Sequence, residues 1–205
     1  MATKLGIYNE ALRLIGERSL SSVSENREPR RVLDEVYDQA LDYALEQGFW
    51  NHAMRSAELS ASLTVEPAFG YTYAFEKPSD WIRTAALSAG DTFATPLREY
   101  NDETGYFLAH VDPLYVRYVS NDGDYGLDLT RWPETFTKYV ATHIAAEICE
   151  RLTQNASKHE ELRRLEKRRL IDARSKDAMN DPVGRLPTGS WVNSRGGFAQ
   201  KYNRA

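Results

Sequence analysis

The chain is short of the features that mark secretion, membrane insertion and metal binding. It holds one cysteine, Cys149, in 205 residues, so no internal disulfide can form and nothing points to an oxidising compartment. No apolar run approaches the roughly 20 residues of a membrane span. The opening MATKLGIYNEALRLIG carries Lys4, Glu10 and Arg13 and lacks the continuous apolar stretch of a secretory signal. The expectation is a soluble protein made in a cytoplasm. The four histidines, His52, His110, His143 and His159, sit in unrelated contexts. Gly196-Gly197 is no phosphate loop, because no strand precedes it and no Lys-Ser/Thr helix follows.

What is present is ordinary in amount and uneven in placement. Hydrophobic residues make up 41% and charged residues 27%, as in average globular domains, and the length suffices for a real core. Residues 182–205 read PVGRLPTGSWVNSRGGFAQKYNRA, with no Asp or Glu but with Arg185, Arg195, Lys201 and Arg204. The net charge is −4 overall and +4 in that segment, so residues 1–181 carry −8. An acidic body disfavours broad duplex-DNA binding, whose affinity comes from neutralising phosphates. A basic segment suits an acidic partner surface. Two prolines, four glycines and no apolar periodicity mean that the segment cannot bury enough apolar surface to offset the entropy of ordering. It still keeps Trp191, Phe198 and Tyr202, and large aromatics with arginines are the residues that anchor interfaces. The expectation for 181–205 is a flexible basic arm that folds on another molecule.

Along the rest of the chain, Leu5, Tyr8, Leu12 and Ile15 recur at helical spacing and Gly16 follows as a cap, predicting a helix over 4–15. Pro29 suits a first helical turn. Val32, Leu33, Val36, Tyr37, Ala40, Leu41, Ala44 and Leu45 then form the clearest amphipathic pattern, ended by Gly48, with Phe49 and Trp50 expected to pack back on the helix. From 54 to 120 the pattern shortens. Segments 81–87, 93–100, 106–111 and 114–119 read as strands, joined by turns at 101–105 and 111–113, in an antiparallel meander. Pro133 opens a third helix with Phe136, Val140, Ile144 and Ile148 every fourth residue. Ser157 to Glu160 fits a capping box opening a fourth helix that runs to about Met179. The fold class is α+β, mainly α. An antiparallel helical bundle (1–53 and 130–180) carries a small antiparallel β domain (54–129) and an extended C-terminal arm.

Candidate chemistry is thin. Asn121-Asp122-Gly123-Asp124 and Asp128 offer oxygen ligands. A calcium loop, however, needs Gly at its sixth position and Glu at its twelfth, where this chain has Leu127 and Pro133. A solvated turn explains the cluster. His143 and Glu147 share a helix face but lack the second histidine of a zincin helix. Cys149 lies beside the apolar row and reads as a small buried residue. Carboxylate pairs such as Asp80 with Glu103, or Asp122 with Asp124, resemble a glycosidase acid and base only in type. The aromatics of the β region lack the interleaved basic residues that base stacking requires. No metal, cofactor or catalytic residue is expected. On the fourth helix Arg163, Arg164, Lys167, Arg168, Arg169 and Arg174 are interleaved with acids. They form either a salt-bridged solvated face or an inter-subunit face, with Arg163, Arg164 and Arg168 its contacts.

The order of segments carries a resemblance. Leu12 to Gly16 closes the first helix, and the Tyr37-centred helix leads into Gly48-Phe49-Trp50-Asn51-His52-Ala53. Pro67-Ala68-Phe69-Gly70-Tyr71-Thr72-Tyr73-Ala74-Phe75 and Pro78-Ser79-Asp80-Trp81-Ile82-Arg83 follow. Leu114-Tyr115-Val116-Arg117-Tyr118-Val119 and a helix ending Glu150-Arg151-Leu152-Thr153-Gln154 complete the series. Over about residues 1–180 this resembles the tail tubular protein A family, the head-to-tail adaptor proteins of short-tailed bacteriophages. Phe75 departs from the more usual leucine-like residue. The resemblance implies a helical bundle with a small β domain, in a virion ring of twelve copies between the portal protein and the tail nozzle protein. Phage DNA would pass through without sequence-specific binding, and no membrane or enzyme activity is implied. Some relatives are associated with cell-wall hydrolysis, but no motif here carries that over. Arg185, Trp191, Arg195, Phe198, Lys201 and Tyr202 are the expected portal contacts. The alternatives are another neck or head-completion protein, a tail-associated peptidoglycan hydrolase, and a nucleic-acid regulator acting through the basic arm.

Overall fold

Thr3 opens the first helix: its side chain accepts from the Gly6 N–H at 3.1 Å. A computed structural model describes residues 1–93 and 95–180. Helix α1 (Lys4–Ile15) ends at Gly16, whose φ of 88° is the left-handed conformation that glycine adopts without strain. Helix α2 (Glu28–Glu46) starts with Pro29 in its first turn and buries Val32, Leu33, Tyr37, Ala40, Leu41, Ala44 and Leu45. Helix α3 (Glu134–Thr153) follows Pro133 and buries residues on nearly every side, from Phe136 to Cys149. A helix apolar all round belongs at the centre, and α1, α2 and α4 all pack on α3 or on one another through it. Helix α4 (Ala156–Ala178) buries only Leu162, Glu166, Ala173 and Asp177, and most of its other residues are charged. It is the outer helix. Its cap is Asn155, whose side chain accepts from Lys158 N at 3.0 Å, rather than Ser157. The left-handed Gln154 (φ 49°) breaks α3 and leaves Asn155 as the first extended residue, so α4 starts two positions before the expected capping box.

The strands are β1 (Met54–Leu59), β2 (Tyr73–Glu76), β3 (Trp81–Ser88), β4 (Asn101–Glu103), β5 (Tyr106–Ala109) and β6 (Leu114–Ser120). All pairings are antiparallel, as expected, but the meander is not what forms. Among the described residues two three-stranded sheets are built, in the orders β1-β6-β3 and β2-β5-β4. The middle strand β6 alternates faces. Leu114, Val116 and Tyr118 pack with Phe75, Leu87, Phe107 and Ala109 in a β-sheet core, while Val119 joins the helical core with Met54 and Ile82 beside it. A period of two thus lets one strand serve both cores.

The expected strand at 93–100 does not form. Phe93 has a φ of 52° and Pro96 has no N–H to give a ladder, so the segment makes one isolated bridge, Ser88 with Pro96. Its place is taken by β4, inside the expected 101–105 turn. Glu103 pairs with Tyr106, and Thr104-Gly105 alone turns the chain, with Gly105 at a φ of 84°. β1 had no strand expectation.

One glycine fixes the junction of the two cores. A Cβ on Gly126 would lie 2.1 Å from the Ser120 carbonyl oxygen and 3.1 Å from a Leu45 methyl, while the Gly126 carbonyl accepts from the Trp132 indole at 2.8 Å. Gly126→Ala must displace backbone. It is expected to cost about 2 kcal/mol in urea unfolding, whereas Gly123→Ala, with open space around it, should be near neutral.

Candidate assembly surfaces

Helix α2 ends without a glycine cap, because Gln47 stays right-handed. Its last carbonyls would be orphaned, and side chains from three directions take them. The Trp50 indole donates to the Ala44 carbonyl at 2.9 Å, Arg83 to that of Glu46 at 3.0 Å, and Arg174 of α4 to that of Gln47. Two guanidinium groups at a helix C-terminus also complement its dipole. Asn51 N donates to the Asp177 carboxylate at 3.1 Å and Asn51 Nδ2 to the Asp177 carbonyl at 3.0 Å. The stretch Gly48 to Ala53 is thus a joint that pins the last turn of α4 to the end of α2. A cleft of about 380 Å³ opens there, lined by Gln47, Phe49, Arg83, Arg174, Asp177 and Ala178. Trp50 packs back as expected. Phe49 does not: it stays half exposed, with the Arg83 guanidinium 4.4 Å from its ring centroid. Met179, just past α4, is exposed too.

Asp80 is the second hub. Its carboxylate accepts from Arg55 at 2.9 Å, from the Tyr118 hydroxyl at 3.1 Å and from the Ser120 hydroxyl. Burial works to raise its pKa, and the donors from Ser120, Arg55 and Tyr118 overcome that, holding it below the usual carboxylate range. Asp80 therefore ties β1, β3 and β6 together as a fixed anion. A general acid needs the opposite shift. Glu103 accepts from Asn101 on the exposed β4 edge, and Asp122 accepts the Asp124 N–H in a local turn. Neither carboxylate pair weighed from the sequence forms an acid–base site.

Between α3 and α4, His143 meets Glu166 rather than Glu147. Nδ1 lies 2.8 Å from Glu166 Oε1, and the imidazole stacks on Tyr43 of α2 at 4.6 Å. Arg163 joins the same group, donating to Glu166 at 3.0 Å and to Glu147 at 2.6 Å. Burial pushes the Glu166 pKa up, but hydrogen bonds from His143 and Arg163 more than reverse it, so the carboxyl lies below its ordinary value. Arg169 reaches the Lys138 carbonyl. The basic residues of α4 thus divide. Arg163 and Arg169 bind α3, and Arg174 binds α2. Among the described residues Arg164 pairs only with Glu160 of its own helix, in an exposed i,i+4 bridge, and Arg168 is exposed. Of the three residues expected at a subunit contact, Arg164 and Arg168 are on the surface and Arg163 is engaged within the chain.

Cys149 is buried, and among the described residues no group of three or more His, Cys, Asp or Glu could hold a metal ion. No helix among them is long and apolar enough to cross a membrane. The six expected portal contacts, Arg185, Trp191, Arg195, Phe198, Lys201 and Tyr202, lie outside the described residues. Sequence reasoning missed the loop between β1 and β2, where Leu63 and Phe69 are almost wholly exposed. No protein-family model matches the chain, and no curated protein matches it in sequence.

Proposed function

We propose that the protein is a virion structural component: a head-to-tail adaptor whose copies form a ring between the portal and the tail nozzle of a short-tailed phage. The helices form the bundle of that adaptor, with the two small sheets as its inserted β domain. The observation that carries the reading is the joint around Trp50. One of the stretches that bear the resemblance, Gly48 to Ala53, is also the stretch that locks α2 to the last turn of α4. The last described residues, just past α4, therefore lie beside a pinned point on the body and an open cleft lined by the exposed Phe49 and by Ala178. A basic segment that is free of acids from Pro182 onward suits docking on an acidic partner. Ring avidity multiplies each weak contact. The −8 of residues 1–181 suits a DNA conduit, since an acidic lining does not hold phosphates.

Removing residues 182–205 tests this. The truncated chain should keep its thermal midpoint and far-ultraviolet spectrum within error, and should lose attachment to the purified portal at least a hundredfold. Truncation that leaves portal attachment intact would overturn the assignment of the arm.

A further inference from the structure

We infer that neighbouring copies meet through α4 of one and α2 of the next, a basic helix face on an acidic one. This deepens the adaptor reading and rests on the ring it proposes. From Glu35 to Glu46, α2 exposes Glu35, Asp38, Gln39, Asp42, Tyr43 and Glu46: four acids and no base. From Arg164 to Lys176, α4 exposes Arg164, Lys167, Arg168, Asp172, Arg174 and Lys176 as its charged residues: five bases and one acid. At 1.5 Å of rise per residue the stripes are about 17 Å and about 18 Å long, so their lengths match. Each has a large side chain standing in water, Tyr43 at 44% exposure on α2 and Ile171 at 66% on α4.

Apart from Arg174, which caps the Gln47 carbonyl, and Asp42, which accepts from Asn121, the charges on these stripes are available. Among the described residues no ion pair engages Asp38, Lys167 or Arg168. Glu35 pairs with Arg151 and Arg164 with Glu160, but all four side chains are more than half exposed. Such surface pairs contribute little and can be exchanged for a partner's charge. An α2–α2 or an α4–α4 contact would set like charges together. The complementary pairing uses two different patches of one molecule, which is the condition for a head-to-tail contact that closes by rotation. Ile171 and Tyr43 then lie within the charged stripes, where a contact would remove their apolar surface from water.

Cysteine crosslinking of the full chain tests the contact, because the native Cys149 is buried. Gln39→Cys and Ile171→Cys, combined in one chain, should give under mild oxidation a non-reducing ladder that climbs past the dimer. Each single variant should stay monomeric. Adding Arg164→Glu, Lys167→Glu and Arg168→Glu should cut the ladder at least tenfold. Adding Glu35→Lys, Asp38→Lys and Asp42→Lys to that same chain should restore it. Raising the salt should weaken the ladder, since these charges are exposed. The reversals touch surface positions, so each variant should unfold within a few degrees of the parent. A ladder that stops at the dimer, that ignores the charge reversals, or that never forms overturns the contact. Imaging of the unmodified chain with portal separates this from the adaptor reading. Rings without a ladder leave the adaptor and remove this contact, while a charge-dependent ladder without rings leaves the contact and removes the adaptor.

Discussion

Trp50→Ala is expected to cost about 4 kcal/mol. The indole is 1% exposed and lies 4.7 Å from the Phe136 ring of the central helix. Truncating a buried tryptophan costs about 3–5 kcal/mol from lost transfer energy and the cavity left behind. The Ala44 carbonyl loses its indole donor as well and keeps only the Gln47 N–H at 3.3 Å. The same residue positions Asn51 against Asp177, so the damage should reach the last turn of α4. Urea unfolding would read the loss of stability, and hydrogen exchange at residues 174–178 would read the loosening of the joint. Trp50→Phe should recover most of the packing and none of the hydrogen bond. Equal stability of Trp50→Ala and the parent would contradict the role given to the joint.

The second large effect is one of pH. His52 lies in an aromatic box, its ring centroid 4.6 Å from Phe136 and 6.3 Å from Trp132. Neither of its ring nitrogens has a hydrogen-bond partner among the described residues. Burial without a partner disfavours the charged form and pulls its pKa from 6.5 down to about 4. Above about pH 6.5 the residue is neutral both folded and unfolded, so it has no effect on stability there. As the pH falls toward 4, the unfolded chain binds a proton that the folded chain refuses, and stability drops by up to about 3 kcal/mol. His52→Phe keeps the box and removes the titration. Between pH 8 and pH 5 the parent should lose about 2 kcal/mol more than the variant in urea unfolding. Asp80 and Glu166, with lowered pKa values, stabilise the fold above the ordinary carboxylate range and lose that contribution only at more acidic pH, so the two windows separate. Identical pH profiles for parent and variant would contradict the burial of an uncharged imidazole.

The helices were legible because each carries its own signal. The α1 and α2 rows, Gly16 and Pro29 act within a few residues of themselves, and the structure places those elements within a residue or two of expectation. The sheets were legible only as antiparallel strands. β4 is Asn-Asp-Glu, fully exposed, with no β propensity of its own. It is a strand because β5 offers it a ladder. β1 is partly buried along its length without clean alternation, and it gains its register from β6, some sixty residues on. The His143–Glu166 pair hid for the same reason. A neighbour at i,i+4, Glu147, looked like the partner, while the real one comes from another helix. Phe49 and Trp50 are adjacent, and only the three-dimensional placement of Ala44 and Arg83 decides that one is buried and the other exposed. As for the site, the sequence marked Arg164 and Arg168 on α4, but the acidic stripe of α2 became visible only once its buried face was known.

The two stretches that carried the resemblance most strongly, around Trp50 and around Asp80, are both structural joints. They explain why the frame holds together, and the surfaces displayed on that frame decide what it assembles with. The central claim is that this frame is a subunit of a ring seated on a portal. The direct measurement is negative-stain imaging of the 205-residue chain mixed with the portal protein from the genome that encodes it. The account predicts a second ring stacked on the portal, with an open central channel and the portal's own axis. Portal particles that keep their bare outline, with this protein left as scattered single subunits, would contradict it.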